Sequence, residues 1–138
     1  MVWRMTEELP KDLLELLERP SICFLATLMP GGAPQLTQTW VDTDGTYILI
    51  NTVQGHQKVR NIARDPRVAV TVADPDDASR YYGVRGHVVE TTTDGAADNI
   101  DQISHKYLGR PYPNFRGVPE TRLVLTIAVD SIAHRPRD

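Results

Sequence analysis

The sequence predicts an α+β fold in which six antiparallel strands form a barrel and short helices are inserted between them. Three observations predict it. The apolar runs are of strand length, Pro and Gly fall between them as punctuation, and several runs are joined by short turns. No internal repeat or low-complexity tract interrupts this pattern. At 138 residues the chain has the size of one domain, residues 1–138, with enough length to bury a core unaided.

The first element is a short helix around Pro10 to Glu18, with Leu13, Leu14 and Leu17 on one stripe and Pro10 suited to a first turn. Ile22 to Leu28 is a continuous apolar run, the pattern of a strand covered on both faces. Pro30-Gly31-Gly32 turns the chain into Gln35 to Val41, which alternates with Gln35, Thr37 and Thr39 on one face and Leu36, Gln38 and Trp40 on the other. Asp44-Gly45 marks a tight hairpin into a strand from Tyr47 to Val53. A helix from about His56 to Arg64 stops before Asp65-Pro66, because proline disfavours helix at the residue preceding it. Val68 to Ala73 and Tyr81 to Thr91 read as strands, separated by the acidic turn Asp74 to Asp77. Gly83 and Gly86 in the second of them predict a bulge or a close backbone approach. A polar helix, Ala96 to Leu108, and a Pro-rich loop, Gly109 to Pro119, lead to the last strand, Arg122 to Val129.

Composition narrows the function classes. The chain is 41% hydrophobic and 24% charged, which is globular, and its net charge of -3 argues against nucleic acid as the main partner. No apolar run approaches the roughly 20 residues that cross a bilayer, so no membrane span is expected. With no signal peptide and Cys23 as the single cysteine, a reducing cytoplasm is the expected home. Of the 15 basic residues only Lys11, Lys58 and Lys106 are lysines, a usage typical of GC-rich genomes.

Conventional catalytic sets are poorly supported. His56, His87, His105 and His134 show no zinc-type pairing, so no metal is expected. Cys23 lies within the most apolar run, where a thiol is an inert small hydrophobe. No nucleophile-elbow or phosphate-loop motif occurs.

The informative stretch runs from Asn51 to Pro66. On a helix beginning near His56, Val59, Ile62 and Ala63 share a docking face, while Gln57, Lys58, Asn61 and Arg64 share a different one. Amides and cations then gather near the helix start, where unpaired backbone donors and the positive dipole end lie. Those are the ingredients of a phosphate site, with Asn51 and Thr52 placed to add short polar groups. An ordinary solvated helix face has the same composition, and both readings stand at this level.

Two motifs carry a resemblance to a known family. Lys58-Val59-Arg60-Asn61-Ile62-Ala63-Arg64-Asp65-Pro66-Arg67 is similar to the K-x-x-N-l-x-x-D-P-R stretch of the pyridoxamine 5'-phosphate oxidase-like superfamily, the flavin and deazaflavin oxidoreductases. Gly32-Ala33-Pro34-Gln35-Leu36 resembles the lead-in to that group's second strand. The order of elements follows along nearly the whole chain, and the first motif resembles most the branch that uses coenzyme F420. The resemblance implies the FMN-binding split barrel and a homodimer with its cofactor at the subunit interface. It implies that Gln35, Leu36, Thr37 and Gln38 line the ring edge, and that Asn51, Thr52, Gln57, Lys58 and Asn61 hold the ribityl phosphate. Arg80 and Tyr82 would contribute from the opposing subunit. Where relatives often carry a basic residue before the lysine this chain has His56, which would make phosphate binding pH-dependent.

In such a protein the cofactor carries the redox chemistry and the chain supplies binding and orientation. The resemblance implies an F420-dependent oxidoreductase that reduces a small electron-poor substrate such as an enone, quinone or imine. Tyr82 is the candidate proton donor if solvent does not supply the proton. Two alternatives remain: an FMN-dependent oxidase or flavin reductase, and a non-catalytic binder of flavin, haem or a similar ligand. A basic groove beyond the phosphate, with Arg60, Arg64 and Arg67 as candidates, would favour F420 and its anionic tail. Pro111 to Phe115 reads either as a pocket wall or as a loop packed on its own barrel.

Overall fold

In the computed structural model, which describes residues 8–137, the first helix is α1 (Lys11–Glu18). Its buried stripe is Leu13, Leu16 and Leu17, with Leu14 only partly covered, so Leu16 takes the place expected for Leu14. The spacing of these three still follows one helical face. Each buried leucine contributes about 2 kcal/mol of transfer free energy.

The strands that follow are β1 (Ile22–Leu28), β2 (Pro34–Thr39), β3 (Asp42–Thr43) and β4 (Ile48–Val53). After α2 (Gln57–Arg64) come β5 (Arg67–Ala73) and β6 (Tyr81–Thr92), then α3 (Ala96–Leu108) and β7 (Arg122–His134). All pairings are antiparallel, in one seven-stranded sheet of order β2-β1-β5-β6-β7-β4-β3. The seventh strand beyond the expected six is the two-residue β3.

Closure follows from connectivity. β2 and β3 lie at opposite edges of the sheet, yet only Trp40 and Val41 separate them in the chain. Three residue steps span at most about 11 Å, so the sheet must curl until its edges nearly meet. No ladder joins β2 to β3, and the barrel is therefore split along that seam. This also corrects the hairpin expected between the Gln35 strand and the Tyr47 strand. The Asp44-Gly45 turn is present, with Asp44 Oδ1 accepting from the Thr46 and Tyr47 amides, but it joins β3 to β4. β2 pairs with β1 instead.

Leu25, Ile48, Ile50, Val70, Leu125 and Ile127 fill the barrel interior, each with at most 1% of its surface exposed. β1 is not covered on both faces as its apolar run suggested. Cys23, Leu25 and Thr27 point inward and are buried, whereas Ile22, Phe24, Ala26 and Leu28 are half-buried on the outer face. β2 takes the opposite sense to its polarity: Gln35, Thr37 and Thr39 turn inward, and Leu36 stands 65% exposed beside Ala26.

Gly86 meets the expectation of close backbone approach. A Cβ there would lie 2.3 Å from the Ala128 carbonyl oxygen, and the β6–β7 register shifts at Gly83/Val84 and Arg85/Gly86. The last strand runs to His134 rather than Val129, because β6 continues to pair with it past that bulge. Among the described residues no helix is long and apolar enough to cross a membrane.

Candidate functional site

Where the seam of the barrel meets the N-terminal end of α2, a cavity of about 550 Å³ opens. That volume is in the range of small-molecule and cofactor sites. One wall is the end of β2 (Gln38 and Thr39) with Trp40, and another is the end of β4, where Asn51, Thr52 and Val53 are buried. Gly55, at φ 93°, turns the chain into α2 and sets His56 and Lys58 on the rim. The segment before β7 closes the far side with Tyr112, Phe115, Arg116, Glu120 and Arg122.

The aromatic wall is continuous. Trp40 stacks on Tyr107 at 5.1 Å and meets the edges of Tyr112 and Phe115 at 6.4 and 6.3 Å. Tyr107 is held from both sides, its hydroxyl donating to the Ser21 carbonyl at 2.7 Å and accepting from the Val41 amide at 3.1 Å. Of the two readings of the Pro111–Phe115 segment, the pocket wall is the one the geometry supports. Sequence periodicity does not reveal this wall, because its four rings come from a seam, a helix and a loop.

Electrostatically the cavity is positive. Lys58 lies half-buried and has no acceptor among the described residues. Burial, and then the neighbouring Arg122 charge, hold its ammonium below the usual lysine value. The Arg122 guanidinium lies over the Tyr112 ring at 4.3 Å, bonds Glu120 Oε1 at 3.3 Å and also bonds the Tyr112 hydroxyl. Glu120 is the cavity's one carboxylate among the described residues, and it faces Arg116 at 3.6 Å and Arg122 at 3.3 Å. His56 is held below its ordinary value by burial and by Lys58 and Arg116, and its Nε2 faces Arg116 Nη1 at 3.0 Å. A neutral imidazole accepts there, which places its proton on Nδ1. Val59 and Arg60 spend their amides on the His56 carbonyl, leaving the first-turn amides of Gln57 and Lys58 without a backbone acceptor among the described residues.

The residues expected from sequence divide into three groups. Gln38, Asn51, Thr52 and Lys58 come together on the cavity. Gln35, Gln57 and Asn61 come together beside it in a closed network that locks α2 onto β1. Asn61 is fully buried, donates to Thr27 Oγ1 at 3.0 Å and Gln35 Oε1 at 3.3 Å, and accepts from Gln57 Nε2 at 2.8 Å. Leu36 and Thr37 do not line the cavity; Thr37 Oγ1 is buried without a partner. The third group lies apart: Arg80 bridges to Asp12 and Asp74 at 3.7 and 4.0 Å, and Tyr82 is 4% exposed within the barrel core.

The arginines considered for a tail-binding groove are also committed elsewhere. Arg60 bonds the Gly55 carbonyl and Gln57, Arg64 bonds the Leu28 carbonyl, and Arg67 pairs with Asp65 at 2.8 Å. The cations that share the cavity with Lys58 are Arg116 and Arg122, and Arg122 is the one whose charge acts on it. Sequence reasoning missed them because more than 50 residues of chain separate them from the helix motif. The run Arg116…Glu120…Arg122 just before the last strand was the available signal.

The fold is thus a split barrel with a cation-lined, aromatic-walled cavity beside its seam. The chain belongs to the pyridoxamine 5'-phosphate oxidase family, which it matches over residues 9–135. The fold of that family binds flavin-type cofactors, which places the chain broadly among flavin and deazaflavin oxidoreductases. It is similar to an F420 reductase structure at 30% identity, with a TM-score of 0.75 over 91% of this chain and 98% of that one. A conserved hypothetical protein from Mycobacterium tuberculosis is 24% identical, with a TM-score of 0.65 over 92% and 84% of the two chains. A putative pyridoxamine 5'-phosphate oxidase from Lactobacillus delbrueckii shares the fold at 18% identity, with a TM-score of 0.61 over 91% and 92%.

Proposed function

We propose that this protein is a coenzyme F420-dependent oxidoreductase acting on a small electron-poor substrate. The observation that carries the reading is the half-buried, unpaired Lys58 beside Arg122 in an aromatic-walled cavity at the start of α2. An uncompensated cation in such a place is costly without an anionic ligand. The similarity to an F420 reductase favours the deazaflavin over FMN. Bound there in its reduced form, the cofactor would supply a hydride to the substrate.

The chain's own residues bind and orient. Lys58, the first-turn amides of α2 and Thr52 hold the phosphate, whereas the Asn51 amide is spent on the Ala96 carbonyl and Asn99 Oδ1 and fixes β4 against α3. The end of β2 at Gln38 and Thr39 lies along the ring. Gln57 and Asn61 act from beneath, fixing the helix that carries Lys58. Tyr82 sits in the core, so solvent rather than this phenol delivers the proton. The half-buried outer face of β1, extended by exposed Leu36, suits a second copy of the chain, and the protein works as a cytoplasmic homodimer with Arg80 reaching the partner's cofactor.

A parallel titration with F420 and FMN tests this, followed by intrinsic tryptophan fluorescence, to which Trp40 contributes from the cavity wall. Micromolar or tighter F420 binding with weak FMN binding is expected. A preference for FMN would replace the proposal with an FMN-dependent oxidase or flavin reductase. Binding of neither would remove the enzyme reading and leave the family.

A further inference from the structure

We propose that Arg122 is a second anion-binding residue of the cavity, seating together with Lys58 a single oxyanion of the ligand and so selecting phosphorylated ligands over their phosphate-free counterparts. The proposal deepens the cofactor reading above and rests on it for the identity of the ligand, but the anion seat itself is testable alone.

The argument begins with charge. Three side chains cationic at neutral pH, Lys58, Arg116 and Arg122, line the cavity against Glu120, its one carboxylate among the described residues. Glu120 is shared, 3.3 Å from Arg122 and 3.6 Å from Arg116, so it neutralises at most one of them. Lys58 has no acidic partner among the described residues. The lining side chains therefore carry a surplus of two positive charges, and the ligand that balances it is a dianion or carries two anionic groups.

Geometry selects Arg122 over Arg116 for the seat. The Arg122 side chain is 14% exposed and its plane is fixed against the Tyr112 ring, with Asn51 Oδ1 at 3.5 Å from Nη1. A pre-oriented guanidinium loses little entropy when it binds an oxyanion; Nη2 is spent on Tyr112 and Glu120, and Nη1, with only the long contact to Asn51 Oδ1, keeps a hydrogen for the ligand. Arg116 is 54% exposed and reaches the site from the loop. The Arg122–Glu120 pairing is also incomplete: Arg122 Nε and Glu120 Oε2 are both buried without a hydrogen-bond partner. Buried groups left in this state favour rearrangement toward a better partner. Glu120 thus serves as the counter-ion that holds Arg122 in place until the ligand oxyanion shares it.

The experiment compares wild type, Arg122→Met and Arg122→Lys in four intrinsic tryptophan fluorescence titrations: FMN, riboflavin, F420 and the phosphate-free deazaflavin. Thermal shift with inorganic phosphate is measured in parallel. A charged hydrogen bond corresponds to about a ten- to hundredfold change in Kd. Arg122→Met should lose about that factor for the phosphorylated member of whichever pair binds, and leave the phosphate-free member unchanged. Arg122→Lys should recover part of the loss, and the salt dependence of binding should fall in Arg122→Met. FMN and F420 distinguish a phosphomonoester from a phosphodiester as the source of the oxyanion. Equal losses for both members of a pair would reduce Arg122 to a structural role and overturn the proposal, as would no loss at all. If wild type binds none of the four, the cofactor reading fails, and the phosphate arm alone decides: stabilisation by phosphate that vanishes in Arg122→Met upholds the seat, and no difference rejects it.

Discussion

Replacing Lys58 by Met should weaken ligand binding while leaving the fold as stable as before or more so. Met keeps the length and apolar stem of the side chain and removes only the charge. In the ligand-free protein that charge is a burden: it is half-buried, has no acceptor among the described residues, and faces Arg122. Burial and Arg122 lower the lysine's folded-state pKa from 10.5, so the folded protein holds this proton less tightly than the unfolded chain does. The destabilisation is therefore fully present below the folded-state pKa and is relieved as pH rises toward 10.5. At neutral pH, deleting the charge removes that cost, and urea unfolding should show a midpoint equal to or above wild type. Binding moves the other way. A charged hydrogen bond is worth about 1.5–3 kcal/mol, which is about ten- to hundredfold in Kd, and the lower part of that range applies because Arg122 remains. The assay pairs the urea midpoint with an intrinsic tryptophan fluorescence titration of F420. Lower stability with unchanged affinity would refute the reasoning, since it would mean that Lys58 serves the fold rather than a ligand.

Other expectations follow from the same geometry. Gly86→Ala places a Cβ 2.3 Å from a backbone oxygen that cannot swing aside, so β7 must shift by about 1 Å, costing about 3 kcal/mol in urea denaturation; a loss under about 1 kcal/mol would contradict the packing described. Asn61→Ala strands Thr27 and Gln57 without their partner and should cost about 2–3 kcal/mol of stability, read by thermal unfolding, because the amide binds β1, β2 and α2 together. His56 is held below its ordinary value of 6.5, so its share of stability is lost as pH falls below that value. An anion in the cavity offsets that shift, so F420 affinity should rise a few-fold between about pH 7.5 and about pH 5.5. A profile that stays the same in His56→Asn would rule out this residue as the titrating group.

Much of this protein is legible in one dimension. Strand length, the turns at Pro30 to Gly32 and Asp44-Gly45, and the Asp65-Pro66 stop depend on local sterics, and each element they predict is found within a few residues. The α2 motif is local as well, which is why spacing alone could group Lys58 with Gln57, Asn61 and Arg64 on one helix face, while its role came from the family resemblance. Sidedness was not legible. Gln35 and Thr37 face inward and Leu36 faces out, because β2 is an edge strand whose inner face meets Asn61 rather than the apolar core. Nor could periodicity separate ligand-facing from structural amides on one helix face: Gln57 and Asn61 share Lys58's spacing yet are consumed by β1 and β2. The Arg122 plane, the Glu120 counter-ion and the Trp40–Tyr107 wall exist only because closing the barrel brings the β2–β3 seam, α3 and the start of β7 to the same place. Local chemistry determines which elements form, and long-range closure determines which side chains share a dielectric and a charge. The charge balance of the cavity is a property of the tertiary structure alone.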